Sequence, residues 1–180
     1  MSQKKRPPFD IRELHTETLG VRAGVRRTEF NEHAEAMFLT SSFCFDSAAE
    51  AAEGFAHAEK GFIYSRFTNP TVAMFEQRLA ALEGSEMCVA TGSGMSAMFA
   101  SVACMVSQGD RVVAAAAMFS SCYVVLNEFL PKWGVEVEFI SGSDLKTWER
   151  ALSKPTKAVF IESPSNPTLD IVDIKMVSDL

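Results

Sequence analysis

An open α/β sheet of mostly parallel strands flanked by helices is the fold class that this sequence predicts. Three observations point there. From residue 87 onward, apolar strand-like runs alternate with helical patterns over short links, as in successive βα units. The run Val112-Val113-Ala114-Ala115 is apolar throughout, as in a strand covered on both faces. At Met87-Cys88-Val89-Ala90-Thr91-Gly92-Ser93-Gly94-Met95 a short apolar run stops at a glycine-punctuated turn, and a helical pattern follows directly.

Taken in order, the chain supports that class element by element. A helix is expected over residues 10–24, capped by Asp10, with Ile11, Leu14 and Leu19 as its stripe. Residues 28–45 have no clean period; Phe38, Leu39, Phe43 and Phe45 suggest an extended segment packed on something larger. Asp46 or Ser47 caps a helix reaching about Ala58, with Ala49, Ala52, Phe55 and Ala56 on one side. Asn69 and Pro70 give an N-cap and N1 pair. The helix they start carries Val72, Phe75, Leu79 and Leu82 and stops at Gly84.

Residues 87–90 are expected as a strand, followed by the turn and a helix with Ala97, Met98, Ala100, Ser101 and Met105. Residues 111–115 form a strand, and 121–133 read as helical until Pro131 ends or kinks the pattern. Val135, Val137, Phe139 and Ile140 make a strand, and Asp144 caps a helix ending near Leu152. Residues 158–162 make a further strand, with a Ser/Pro-rich loop at its carboxyl end, and Asp173 opens a last helix.

Composition bounds the function classes. The 180 residues suffice for one domain with a real core, and 47% hydrophobic with 22% charged residues is ordinary for a globular protein. With 17 Lys and Arg against 23 Asp and Glu, the formal charge is −6, and no basic stripe marks a nucleic-acid partner. The longest apolar run, residues 112–119, falls far short of the ~20 residues that cross a bilayer, so no membrane partner is expected. Residues 1–8 are basic and polar with no apolar stretch behind them, unlike a secretory signal. Cys44, Cys88, Cys104 and Cys122 lie far apart, and three sit in apolar surroundings that favour a reduced, buried thiol. A cytoplasmic location follows as the expectation. His15, His33 and His57 have no ligand spacing, so no metal site is expected.

A strand, a glycine turn and a helix start present unpaired N–H groups and a positive dipole end to an anion. That makes residues 92–95 a candidate phosphate seat, although the turn alone fits an ordinary Ser/Gly connection equally well. Gly92, Gly94 and Ala97 also match G-x-G-x-x-A, but the next strand, 111–117, ends without the carboxylate a dinucleotide site needs. The nucleophile elbow fails at Thr91. Open α/β sheets bind ligands at the carboxyl ends of their strands. The turn, the segment around Phe119 and the loop around Asn166 all fall there. Tyr64 and Arg66, two apart in an extended segment, point the same way and suit a phosphate, the Arg bidentately. A lone Tyr-x-Arg is also a common surface pair.

Three stretches in this order, Tyr64-Ser65-Arg66-Phe67-Thr68-Asn69-Pro70-Thr71, Thr91-Gly92-Ser93-Gly94-Met95-Ser96-Ala97 and Glu162-Ser163-Pro164-Ser165-Asn166-Pro167-Thr168, resemble the pyridoxal-phosphate enzymes of cysteine and methionine metabolism. The resemblance runs from about Thr16 to the end. It implies the large domain of a fold type I transferase, incomplete, with residues 1–60 as an N-terminal arm with helices and 61–180 as the first part of the cofactor-binding domain. It implies pyridoxal 5'-phosphate as cofactor, its phosphate on the amides of Gly94 and Met95 with Ser93 beside them. Tyr64 and Arg66 would reach the phosphate of a neighbouring subunit, which makes the active site shared within a homo-oligomer, a tetramer built from dimers. Asn166 would approach the ring hydroxyl, and Phe119 stands where most of the family stacks a tyrosine.

Residues 118–136 look most like the O-succinylhomoserine sulfhydrylase branch, with Ser120 and Ala116-Ala117 as departures. The implied activity is γ-replacement on an O-acylhomoserine, O-succinylhomoserine plus sulfide giving homocysteine, in methionine biosynthesis. Cystathionine γ-synthase and a γ-lyase are the alternatives within the family. The family's cofactor-bearing lysine and the aspartate facing the pyridine nitrogen are expected beyond Leu180. Lys154, Lys157 and Lys175 do not stand in the Ser-x-Thr-Lys context. The expectation is therefore that the 180 residues contain no catalytic residue and are inactive alone.

Overall fold

The computed structural model describes residues 13–58 and 61–180, which divide into two compact units, Met1–Ala90 and Thr91–Leu180. The expected cap Asp10 and Ile11 lie outside the described residues.

In the first unit, α1 spans Thr16–Arg22, α2 Ala48–Ala56 and α3 Pro70–Glu83. The start of α3 is set by Asn69, whose side chain accepts the Thr71 N–H at 2.8 Å, and by Pro70 in the first turn. Its end is set by Gly84, at φ +64°, a left-handed turn that glycine adopts without steric cost. α1 packs on α3 through Leu19 and Ala23. The approach is close: a Cβ on Gly24 would stand 2.6 Å from the Met74 carbonyl oxygen. Arg78 fastens the contact by donating to Ala23 O at 3.0 Å and pairing with Glu35.

Two expectations change here. The buried face of α3 carries Met74 and Ala80, whereas Val72, Phe75 and Leu82 are exposed. Periodicity locates an apolar stripe but not which side a neighbouring helix covers. α2 is capped by Ser47, which accepts from Glu50 N, yet it has no buried residue, and Phe55 only stacks on Phe45 at 6.5 Å. The segment expected to be extended does lie along a partner. Ser42 bridges Tyr64 antiparallel, and Phe43 N donates to Ile63 O.

The second unit is built around a parallel sheet of β1 Arg111–Ala115, β2 Glu136–Ile140 and β3 Ala158–Phe160, in the order β2-β1-β3. Register runs from Arg111 opposite Glu136 to Ala115 opposite Ile140, and Val112 stands opposite Ala158. Every β1 residue is buried. Alternation divides its side chains between two cores. Val112 and Ala114 meet Val102, Met118, Cys122, Leu126 and Leu130, with Met95 and Met98 packed alongside. Val113 and Ala115 meet Trp148, Ala151, Val172 and Val177. Helices α4 (Gly94–Ala103) and α5 (Ser120–Val124) therefore cover one face, and α6 (Leu145–Leu152) and α7 (Ile174–Ser178) the other. Leu126, Leu130 and Trp148 are fully buried, each worth about 2–3 kcal/mol of apolar transfer. The Trp148 indole N–H donates to Gly142 O at 3.0 Å, so its polar atom is not left unpaired.

The helix after Phe119 holds its expected extent but not its expected regularity. It continues from α5 as a π segment, Val125–Phe129, and closes as a 3-10 turn, Leu130–Trp133, stopped by Gly134 at φ +76°. Leu130 N reaches back to Val125 O, five residues away. Pro131 supplies no N–H to the ladder, and a wide turn followed by a tight one absorbs the missing donor.

Residues 87–90, expected as a strand, form none and have no ladder partner among the described residues. Met87 and Val89 are exposed, and the Ala90 N–H is taken by the Glu76 carboxylate at 2.7 Å. A strand exists only when paired, and pairing is a non-local property that an apolar run does not encode.

Candidate active site

Ser93 is the N-cap of α4. Its hydroxyl oxygen accepts the Ser96 N–H at 3.1 Å, and Ala97 N begins the helical ladder on Ser93 O. Between them stand Gly94 and Met95, whose N–H groups donate to no described residue. Gly94 is exposed, Met95 half-buried, and a Cβ on Gly92 or Gly94 would meet nothing within 4 Å. The amino end of a three-turn helix thus offers two free amides to open space, beside the hydroxyls of Ser93 and Ser96, which are hydrogen-bonded to each other at 2.9 Å. That donor set fits a phosphate group.

A short turn, residues 104–110, connects α4 to β1, so helix and strand run in opposite senses. The amino end of α4 then lies toward the carboxyl end of β1, where Phe119 caps α5 with a half-exposed ring. Beyond the carboxyl end of β3, Asn166 is exposed in a loop that is fastened internally. Ser163 Oγ both donates to Val172 O and accepts from Val172 N, while Ser165, 1% exposed, donates its N–H to Asp170 O and accepts Asp170 N. The Phe119 N–H donates to Glu162 Oε2 at 2.8 Å and the Asn166 N–H to Glu162 Oε1 at 2.6 Å. One carboxylate thereby ties the loop after β1 to the loop after β3. Sequence reasoning placed Glu162 only in a strand and a motif; its position at a strand end, four residues before Asn166, was the available signal.

Tyr64 and Arg66 belong to the first unit. The stretch is not the extended segment that the sequence suggests. Residues 64–68 turn, with Phe67 N and Thr68 N both donating to Tyr64 O. The turn sets the Arg66 guanidinium 5.5 Å from the Tyr64 ring centroid and 5.1 Å from that of Phe67. These cation–π contacts hold the guanidinium without neutralising it, and it makes no ion pair with a described residue. Buried Asn69 supports the turn: its amide nitrogen donates to Phe38 O at 3.1 Å and to Ser65 Oγ at 2.9 Å. In the same unit, a groove of about 530 Å³ between α3 and residues 84–88 contains none of the expected site residues.

The thiols differ from expectation. Only Cys122 is buried; Cys44 and Cys104 are exposed and Cys88 intermediate. Cys104 is the C-cap of α4 and Cys44 lies in the segment before α2, so neither apolar neighbourhood in sequence becomes one in space. Burial first, and the Glu162 charge second, push the Cys122 thiol pKa up. Among the described residues no group of three His, Cys, Asp or Glu is arranged for a metal, and no helix is long and apolar enough to cross a membrane.

A parallel sheet sandwiched by helices, with a free helix amino end and two loops at the strand tips, defines an α/β protein built to seat an anionic cofactor. Residues 17–180 match the family described as Cys/Met metabolism PLP-dependent enzyme, and the chain belongs to that family. It is 52% identical over 163 residues to an O-succinylhomoserine sulfhydrylase of Mycobacterium tuberculosis, covering 91% of this chain and 40% of the relative. The O-succinylhomoserine sulfhydrylase of Pseudomonas aeruginosa is 46% identical over 171 residues, with 95% and 42% covered. Among solved structures, the Campylobacter jejuni metY protein, described as an O-acetylhomoserine (thiol)-lyase and determined with N'-pyridoxyl-lysine-5'-monophosphate, matches with a TM-score of 0.82 at 29% identity, covering 93% of this chain and 41% of that one. The chain therefore spans about two fifths of the length of the relatives it matches.

Proposed function

We propose that the protein works in a pyridoxal 5'-phosphate-dependent γ-replacement on an O-acylhomoserine, with O-succinylhomoserine and sulfide giving homocysteine in methionine biosynthesis. The single observation that carries the site is the pair of free amides at Gly94 and Met95, beside the Ser93 cap. The substrate choice is supported by the two sulfhydrylase relatives at 52% and 46% identity. When bound, the cofactor supplies an electron sink for chemistry at the amino-acid substrate.

The chain's own residues bind and orient. Gly94 and Met95 donate to the phosphate at the positive end of the α4 dipole, each amide worth about 1.5–3 kcal/mol to a charged acceptor. Phe119 offers a flat face for stacking on the ring and, lacking a hydroxyl, moves no proton there. The Asn166 amide meets the ring hydroxyl. Tyr64 and Arg66 serve the phosphate of a second subunit, in a cytoplasmic homo-oligomer whose active sites are shared. In the same reading residues 1–60 form the arm, 61–180 open the cofactor-binding domain, and the cofactor-bearing lysine follows Leu180.

The full-length protein tests this. It should carry a visible cofactor absorbance and form homocysteine from O-succinylhomoserine and sulfide. Arg66→Ala should weaken cofactor binding at least ~10-fold, as loss of a bidentate charged contact does. A full-length protein that binds no cofactor would overturn the proposal.

A further inference from the structure

We propose that Glu162 is a positioning residue that holds the Phe119 and Asn166 loops in a fixed relation, so that the ring-stacking and hydroxyl-binding groups are set by one carboxylate. The inference rests on the reading of Phe119 and Asn166 as ring contacts.

The geometry is reciprocal. Each Glu162 oxygen takes one main-chain N–H, Oε2 from Phe119 and Oε1 from Asn166. Both bonds are charge-assisted, and both are short for N–H to O contacts. The donors are backbone groups, so the carboxylate fixes the loops' main chain and not merely a rotamer. Pairing of β1 with β3 sets the strand ends side by side, with Ala114 opposite Phe160, but it stops before either loop begins. The Asn166 loop is braced within itself through Ser163 and Ser165, and Glu162 joins that braced unit to Phe119. A glutamine has one acceptor oxygen and would turn an NH₂ toward the second N–H. Two donors would then face each other, and one loop would be released.

The test compares full-length wild type, Glu162→Gln and Glu162→Asp, with and without the cofactor. In the cofactor-free proteins, amide exchange at one or both of Phe119 and Asn166 should quicken about 10-fold in each variant, as expected for loss of a hydrogen bond to a charge, while Ser96 keeps its rate. In the loaded proteins, Glu162→Gln should alter the visible circular dichroism of the cofactor, because the ring is no longer held in one orientation. Affinity for inorganic phosphate, whose proposed donors do not include Glu162 or the two amides it holds, should not change. Exchange rates at Phe119 and Asn166 equal to wild type in both variants would overturn the proposal, as would quickening at Ser96 as well, which marks general loosening. Variants that show the exchange effect, in a protein whose wild type binds no cofactor, would refute the cofactor reading and leave the coupling of the two loops established.

Discussion

Ser93 Oγ accepts the Ser96 N–H at 3.1 Å, and this one bond decides which amides of α4 stay free. The first turn of any helix has N–H groups without intrahelical partners. Here the cap consumes the one on Ser96 and leaves those of Gly94 and Met95 aimed outward. Ser93→Ala should cost about 1 kcal/mol of stability, the usual worth of such a cap, seen as a lower denaturation midpoint. Phosphate affinity should fall by much less than in a variant that blocks the amides themselves. A phosphate loss as large as that at Gly94 would mean that the hydroxyl, and not the main chain, is the principal donor.

Gly94 provides the matching experiment. No atom lies within 4 Å of a Cβ built there, and its backbone is helical, so Gly94→Ala meets no clash inside the chain. Folding stability should hold or rise by about 0.5 kcal/mol, because alanine loses less entropy in a helix. The added methyl enters the space in front of the amides, so phosphate or cofactor affinity should drop while the denaturation midpoint does not. Equal affinity in the two proteins would show that the ligand does not approach this helix end.

These sites were legible because their signals are local. Asp144 and Asp173 cap helices as read from the chain, and Asn69 with Pro70 starts α3. The strand 111–115 follows from an apolar run that the sheet buries throughout; the run expected as a strand over 158–162 is one only over 158–160, with Val159 exposed. What escaped the reading depends on distant partners. Residues 87–90 have the composition of a strand and no strand to pair with. Val72 and Phe75 have the period of a buried face and lie exposed, because α1 approaches the Met74 side. The two bonds of Glu162 join residues 43 and 4 positions away, and only the fold brings the first of these within reach.

Arg111, 7% exposed, ties β1 to its surroundings by pairing with Glu138 on β2 and donating to Ala151 O and Thr156 Oγ1. The Arg111 hydrogen bond is the foremost cause holding the Glu138 carboxyl below its ordinary pKa. A carboxyl with a depressed folded value stabilises the fold above its unfolded value and loses that contribution as pH falls through the folded one. Glu138→Gln should therefore be less stable than wild type at neutral pH. The gap should close as pH drops below about 4.3, the ordinary glutamate value. Denaturation midpoints measured across the acid range would show it; a gap independent of pH would mean the pair contributes through shape and not charge.

Cys122 reports on Glu162 without any ligand. Its thiol is buried, burial raises its pKa most, and the Glu162 charge raises it further. With Cys44, Cys88 and Cys104 replaced by serine, the carbon shift of Cys122 Cβ should titrate above the ordinary thiol value. Glu162→Gln removes the second cause only, so the midpoint should move down and still remain elevated. The same shift has a consequence for stability. A thiol whose folded pKa is raised contributes fully below the unfolded value, about 8.5, and that contribution fades as pH rises through the folded value. By this route the alkaline loss of stability should be smaller in Glu162→Gln, since its folded value lies closer to the unfolded one. A Cys122 midpoint unmoved by that substitution would mean the Glu162 charge does not act on the thiol and would place the carboxylate elsewhere than between Phe119 and Asn166.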